Sequence, residues 1–194
     1  MLQITKIEPQ FFTDAKKKVK KTKQSKAWSE IKIDKQELKK FILNEEQYSM
    51  CAYCEKKITI DNKKSNTDHF KTRHSHPELT LDYTNLFVSC TNRKHCESIK
   101  DNSGLVRVDF NKLISPLTIS SNDFTYSKTG DILGMSDNAK FTSKIFNLND
   151  ISLVQERLQI IKGFDAYKDF DENLLIDAFA SHKSLIIYLK AQEN

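Results

Sequence analysis

The 194-residue chain has no run of eighteen apolar residues, only four glycines and three prolines, and no internal repeat. The first absence argues against a membrane-spanning helix. The opening twelve residues also lack the charged region and uninterrupted apolar stretch of a secretory signal, so a cytoplasmic protein with no membrane contact is expected. Scarce glycine and proline beside 38% hydrophobic residues exclude collagen-like and low-complexity chains. What is left is a globular protein long enough for one sizeable core, with at most a small satellite.

A strong excess of one charge is also missing, with 31 Lys+Arg against 26 Asp+Glu giving a net charge of +5. The charge is unevenly spread, however. Seven of the eleven residues from Lys16 to Lys26 are lysine, a run that suits either a phosphate backbone or a solvated face.

Cysteine is sparse but concentrated: all four lie between Cys51 and Cys96. In a reducing compartment such clustering points to metal ligation before disulfides. Cys51 and Cys54 bracket a tight turn that offers two thiolates to one tetrahedral ion, and Cys90 and Cys96 supply a looser second pair. A four-cysteine zinc site is the economical reading. His95 in place of one cysteine, or four merely buried thiols, are the other possibilities.

Residues 1–33 read as an extended or partly helical basic arm with apolar anchors at Phe11, Phe12 and Trp28. Asp34 and Glu37 have the spacing of a capped helix start, followed by Leu38, Phe41 and Ile42 at helical spacing. Short apolar pieces alternate with polar loops between Cys51 and Asp101, as in a small irregular unit braced by metal. Farther on, Phe124–Tyr126 and Asp131–Leu133 flank a turn at Gly130 and read as a hairpin. Asp150 opens a helix expected to stop at Gly163, and residues 172–191 read as a final helix or helix pair.

The segments enclosed by the cysteines are Asn66–Phe70, Leu81–Leu86 and Cys96–Asp101. Their order of Cys-x-x-Cys, Asp-His, Asn-Leu, Cys and Cys-x-x-x-Lys over residues 51–101 resembles the HNH endonucleases. In that family a hairpin followed by a helix holds a catalytic divalent metal, and in many members zinc-binding cysteine pairs brace the ends. The strings CAYCEKK, DHFKTR and PELTLDYTNLFVSC, with Ile114–Pro116, Ile145–Asn149 and Arg157, extend the likeness over about residues 35–160. There it resembles the PtuB-type HNH nuclease subunit of Septu anti-phage systems, also found beside some retrons.

The resemblance implies an α+β fold with a zinc-braced ββα-metal core in a mostly helical frame and a small hairpin in the C-terminal half. The implied units are a basic arm at 1–33, a helix plus nuclease core at 34–105, and a mostly helical region at 106–194 packing on the core. His69 becomes the general base, a role its ordinary pKa near 6.5 permits. Asp68 becomes a ligand of catalytic Mg²⁺ or Mn²⁺, and on an extended strand it points to the face opposite His69. Asn85 would stabilise the loop and orient the imidazole through its backbone carbonyl. Glu97 stands where many members carry His or Asn, and as a hard carboxylate it is a competent second ligand, with Asp101 the alternative. Lys100 would reach the scissile phosphate or its neighbour, and Lys71, Arg73 and His74 would line the nucleic-acid groove. His182, far from the motif, is assigned no chemistry.

The function implied is metal-dependent cleavage of phosphodiester bonds, in DNA before RNA, as the nuclease effector of an anti-phage system. The implied partner is the ABC-type ATPase subunit of the same operon. Two other readings remain at this point: a zinc-braced nucleic-acid-binding adaptor whose catalysis has decayed at Glu97, and an RNA-directed nuclease of the same type.

Overall fold

The computed structural model describes residues 1–19, 26–102 and 109–193, and Lys20, Lys21 and Lys23 of the basic run lie outside them. Among the described residues the protein mixes helices with two small antiparallel sheets.

The larger core forms around β2 (Leu86–Cys90), whose five residues are all buried. It pairs antiparallel with β1 (Ser65–His69) in a register that sets Ser65 opposite Cys90 and His69 opposite Leu86. A buried two-stranded ribbon leaves backbone groups to satisfy along its outer edge. Here the Gln47 side chain closes that edge, accepting from Val88 N at 2.8 Å and donating to Val88 O at 2.9 Å.

Gln47 is delivered by α3 (Lys35–Phe41) and the π-helical turn that continues it to Glu46. Asp34 caps this helix as its position suggested, its carboxylate accepting from Gln36 N and Glu37 N. Leu38, Ile42 and Leu43 are buried against the core.

The described part of the N-terminal segment is no free arm. Met1, Ile4, Phe12 and Ala15 belong to the same core, with Phe12 and Ala15 carried on α1 (Gln10–Lys17). Lys6 is buried too, pairing with Glu46 at 2.6 Å beneath α3. Of these, Phe12 was legible as an anchor, whereas Met1, Ile4 and Ala15 fall in no regular apolar period. A short helix, α2 (Ala27–Glu30), brings Trp28 toward the end of β1.

After β2 the chain turns at Cys96, which takes φ 62°, into α4 (Glu97–Asn102). The expected hairpin is present as β3 (Phe124–Tyr126) and β4 (Ile132–Gly134), with Gly130 between them at φ +90°. Four helices follow: α5 (Asp137–Ile145), α6 (Ile151–Phe164), α7 (Glu172–Phe179) and α8 (Lys183–Ala191). Ser136, Asp150 and Asp171 cap the first three.

Contrary to expectation, α6 does not stop at Gly163 but runs through it to Phe164. Ile160 and Phe164 bury there with Leu175, Leu185 and Ile186 in a second, smaller core. That burial outweighs the roughly 1 kcal/mol that a glycine costs a helix. The last segment is a helix pair, broken where Ala180 and His182 take left-handed backbone angles near φ 54°. Among the described residues no helix is long and apolar enough to cross a membrane.

Candidate functional site

The four cysteines converge. Their sulfurs all lie within 4.8 Å of one another, with Cys51 and Cys96 at 3.8 Å and Cys54 and Cys90 at 4.0 Å. None is in a disulfide, and all are buried. Four sulfurs about 2.3 Å from one central ion stand about 3.8 Å apart along a tetrahedron's edges, so this donor set fits zinc.

His95, weighed as a substitute ligand, sits beside the cluster instead. Its Nδ1 lies 3.0 Å from Cys96 Sγ and 3.6 Å from Cys90 Sγ. Burial pushes the Cys96 thiol well above its ordinary pKa, whereas hydrogen bonds from Cys51, Cys54 and Cys96 hold Cys90 far below it.

The turn that carries the first cysteine pair is locked to distant elements. Glu55 follows it at φ 58°, and its buried carboxylate accepts from the N–H and hydroxyl of Ser184 at 2.8 and 2.7 Å. The Glu55 carbonyl accepts from His182 N, so α8 closes over the knuckle. On the other side, Cys96 N donates to the carbonyl of Phe146, whose ring stacks on Tyr53 at 4.2 Å.

A cleft of about 350 Å³ opens between β1, the loop after it and α4, and it is lined by Thr67, Asp68, His69, Thr72, Arg73, His74, Glu97 and Asp101. Carboxylate oxygens of Asp68, Glu97 and Asp101 come within 4.8 Å of one another. One turn of α4 separates Glu97 from Asp101, which is why helical spacing presents both to Asp68. Glu97 and Asp101, the two alternatives weighed beside Asp68, thus both stand close to it.

Glu97 Oε2 is buried with no hydrogen-bond partner. Burial first, then the neighbouring Asp68 and Asp101 carboxylates, push the Glu97 pKa up to about 8. Burial likewise raises Asp101, against the lowering pull of Lys100. An unpartnered buried carboxylate oxygen beside two further carboxylates is a donor set for a hard divalent cation, and these residues fit one.

Asp68 and His69, adjacent on β1, both line the cleft but have different partners. Asp68 takes hydrogen bonds from Tyr53 on Oδ2 and from Lys100 on Oδ1. Burial, then the charge of Asp68, push the Tyr53 phenol well up, so it stays a donor. His69 meets the edge of Trp28, with ring centroids 4.9 Å apart, and its Nε2 lies 3.0 Å from the carbonyl of Thr80. A carbonyl can only accept, so Nε2 carries the proton and the ring's basic lone pair is on Nδ1. Burial lowers the His69 pKa to about 4, which leaves the ring neutral at pH 7.

Two expectations need correcting. The carbonyl that orients the imidazole belongs to Thr80, because the Asn85 carbonyl accepts from Phe70 N. Asn85 instead braces the loop with its side chain, accepting from Lys71 N and donating to Lys71 O and Leu79 O. Lys100 does not line the cleft. It is enclosed, donating to Asp68, to the carbonyls of His69 and Phe70, and pairing with Asp101 at 3.0 Å. Burial presses its pKa down, but Asp68 and Asp101 overcome this and leave it raised. A fully buried ammonium with four oxygens around it is a structural strut, out of reach of an incoming phosphate.

Arg73 and His74 are exposed at the cleft mouth, whereas Lys71 stands off it. Sequence reasoning gave no site role to Tyr53 or Thr80 and read Trp28 only as an apolar anchor. Tyr53 lies between two cysteines that explain the motif without it, and no local signal marks Thr80. No family model matches the chain, and no curated protein matches it either.

Proposed function

We propose that this protein is a metal-dependent endonuclease of the HNH type, in which β1, β2 and α4 form the ββα-metal core. The observation that carries the reading is one cleft in which His69 and Asp68 of β1 meet Glu97 and Asp101 of α4, directly beside a four-cysteine cluster.

In this reading Asp68, Glu97 and Asp101 hold Mg²⁺ or Mn²⁺, and Cys51, Cys54, Cys90 and Cys96 hold zinc. The divalent ion, when bound, supplies positive charge to the phosphoryl oxygens and to the leaving oxygen. His69 accepts a proton from the attacking water at Nδ1 while the Thr80 carbonyl keeps Nε2–H in place. Trp28 shields one side of that ring. Arg73, at the mouth, takes a flanking phosphate of the strand. In this reading DNA is engaged through its backbone, with specificity left to a partner or to DNA structure.

The sequence resemblance adds the setting proposed here: an anti-phage nuclease effector working with an ABC-type ATPase subunit. The test is supercoiled plasmid incubated with Mg²⁺ or Mn²⁺ and zinc-loaded protein, wild type or His69→Ala, each with and without the neighbouring ATPase. The wild type is expected to cut and the variant to lose roughly 10²-fold or more in rate while keeping zinc and fold. Full activity in His69→Ala would remove His69 from the mechanism. Failure of the wild type to cut in every arm, with matched RNA cleaved instead, would move the substrate to RNA.

A further inference from the structure

We infer that Tyr53 is a positioning residue: its phenol holds the Asp68 carboxylate in the orientation that presents it, with Glu97 and Asp101, to a divalent cation. The inference rests on the metal-site reading above and names a residue that reading does not use.

Asp68 has two anchors on different oxygens, Lys100 on Oδ1 and the Tyr53 hydroxyl on Oδ2. A carboxylate offers about four lone-pair sites, so two donors fix its plane and still leave sites for a cation. Removing either donor frees the carboxylate to turn about its Cβ–Cγ bond.

Tyr53 is suited to this because it cannot itself move. Its side chain is fully buried, it immediately precedes Cys54 in the cysteine cluster, and its ring stacks on Phe146 at 4.2 Å. The carbonyl of that same Phe146 accepts from the backbone of Cys96 at 2.8 Å. Tyr53 is thus pinned to the cluster from both cysteine pairs, and its hydroxyl carries a side-chain hydrogen bond from that knuckle to a carboxylate of the cleft. Outer-shell partners of ligating carboxylates set metal affinity in this way, commonly by about 10- to 100-fold.

The test compares full-length, zinc-loaded wild type with Tyr53→Phe, which keeps the ring and its stacking and deletes only the hydroxyl. Bound Mn²⁺ is counted from the loss of the free-ion electron paramagnetic resonance signal, beside zinc content and thermal midpoint. The expected result is Mn²⁺ binding in the wild type and affinity at least about 10-fold weaker in Tyr53→Phe, with one zinc retained in both. Equal Mn²⁺ affinity in the two proteins would overturn the role of Tyr53 and leave the nuclease reading standing. No Mn²⁺ binding by the wild type would overturn the metal site itself and this inference with it. Should Tyr53→Phe fail to fold, a crystal structure of the wild type with Mn²⁺ decides the matter: Tyr53 bonded to a ligating Asp68 supports the inference, and Tyr53 beyond hydrogen-bond reach overturns it.

Discussion

His69 and Glu97 are displaced from their ordinary pKa values in opposite directions, and each displacement has a measurable consequence. Burial holds His69 near 4, so its ring is already neutral at pH 6, where an imidazole of pKa 6.5 would be mostly protonated. In a nuclease assay at saturating Mn²⁺, kcat should therefore hold between pH 7 and pH 6, and an acid limb centred near pH 6.5 would contradict the buried base. For stability, His69 binds fewer protons folded than unfolded between about pH 4 and 6.5, so its contribution is present above that window and lost as pH falls through it. Glu97 runs the other way: folded at about 8 against 4.5, it keeps a proton that the unfolded chain releases, and stability falls as pH rises through that interval. Above pH 6.5 only Glu97 is left of the two. Urea midpoints of zinc-loaded, Mg²⁺-free protein should thus drop from pH 6.5 to pH 8, and drop less in Glu97→Gln. The residue types of this site were legible in the sequence, since Asp68, His69, Glu97 and Asp101 were all named before any geometry. Their partners were not: Tyr53 lies fifteen positions from Asp68, and Thr80 reaches His69 through a backbone carbonyl, which any residue type could supply.

Elements with a polar start were readable, because a side-chain cap is a local event. Asp34, Asp150 and Gly130 all sit where their chemistry placed them. Element ends set by packing were not, and Gly130 and Gly163 make the contrast testable. A Cβ on Gly130 would stand 2.4 Å from the Val154 carbonyl oxygen, on a backbone at φ +90° that side chains rarely adopt. Gly130→Ala should cost about 2–4 kcal/mol in urea unfolding, by strain and overpacking together. A Cβ on Gly163 meets nothing nearer than the Phe179 ring at 3.9 Å. Gly163→Ala should instead stabilise α6 by about 0.5–1 kcal/mol, since the site is helical and open. Equal effects at the two positions would contradict the close approach of Val154 and Leu158 in α6 to Gly130.

At the scale of the whole molecule, the cysteine cluster joins segments that the sequence holds far apart. Cys51 and Cys54 are tied through Glu55 to α8, Cys90 ends β2, and Cys96 opens α4, so one ion would fasten both halves of the larger core. Purified protein is expected to carry one zinc per chain, and a strong chelator should lower its thermal midpoint sharply, because structural zinc contributes directly to folding. Folded protein with zinc near zero by elemental analysis would contradict this. The hold of α8 on Glu55 also has a temporal side. A ribosome makes the knuckle and β1 more than a hundred residues before Ser184. Until that serine appears, the buried Glu55 carboxylate is without the amide and hydroxyl that meet it, and the knuckle is without its cover. On the nuclease reading proposed above, this order of synthesis would withhold the last support of the knuckle from half-made chains.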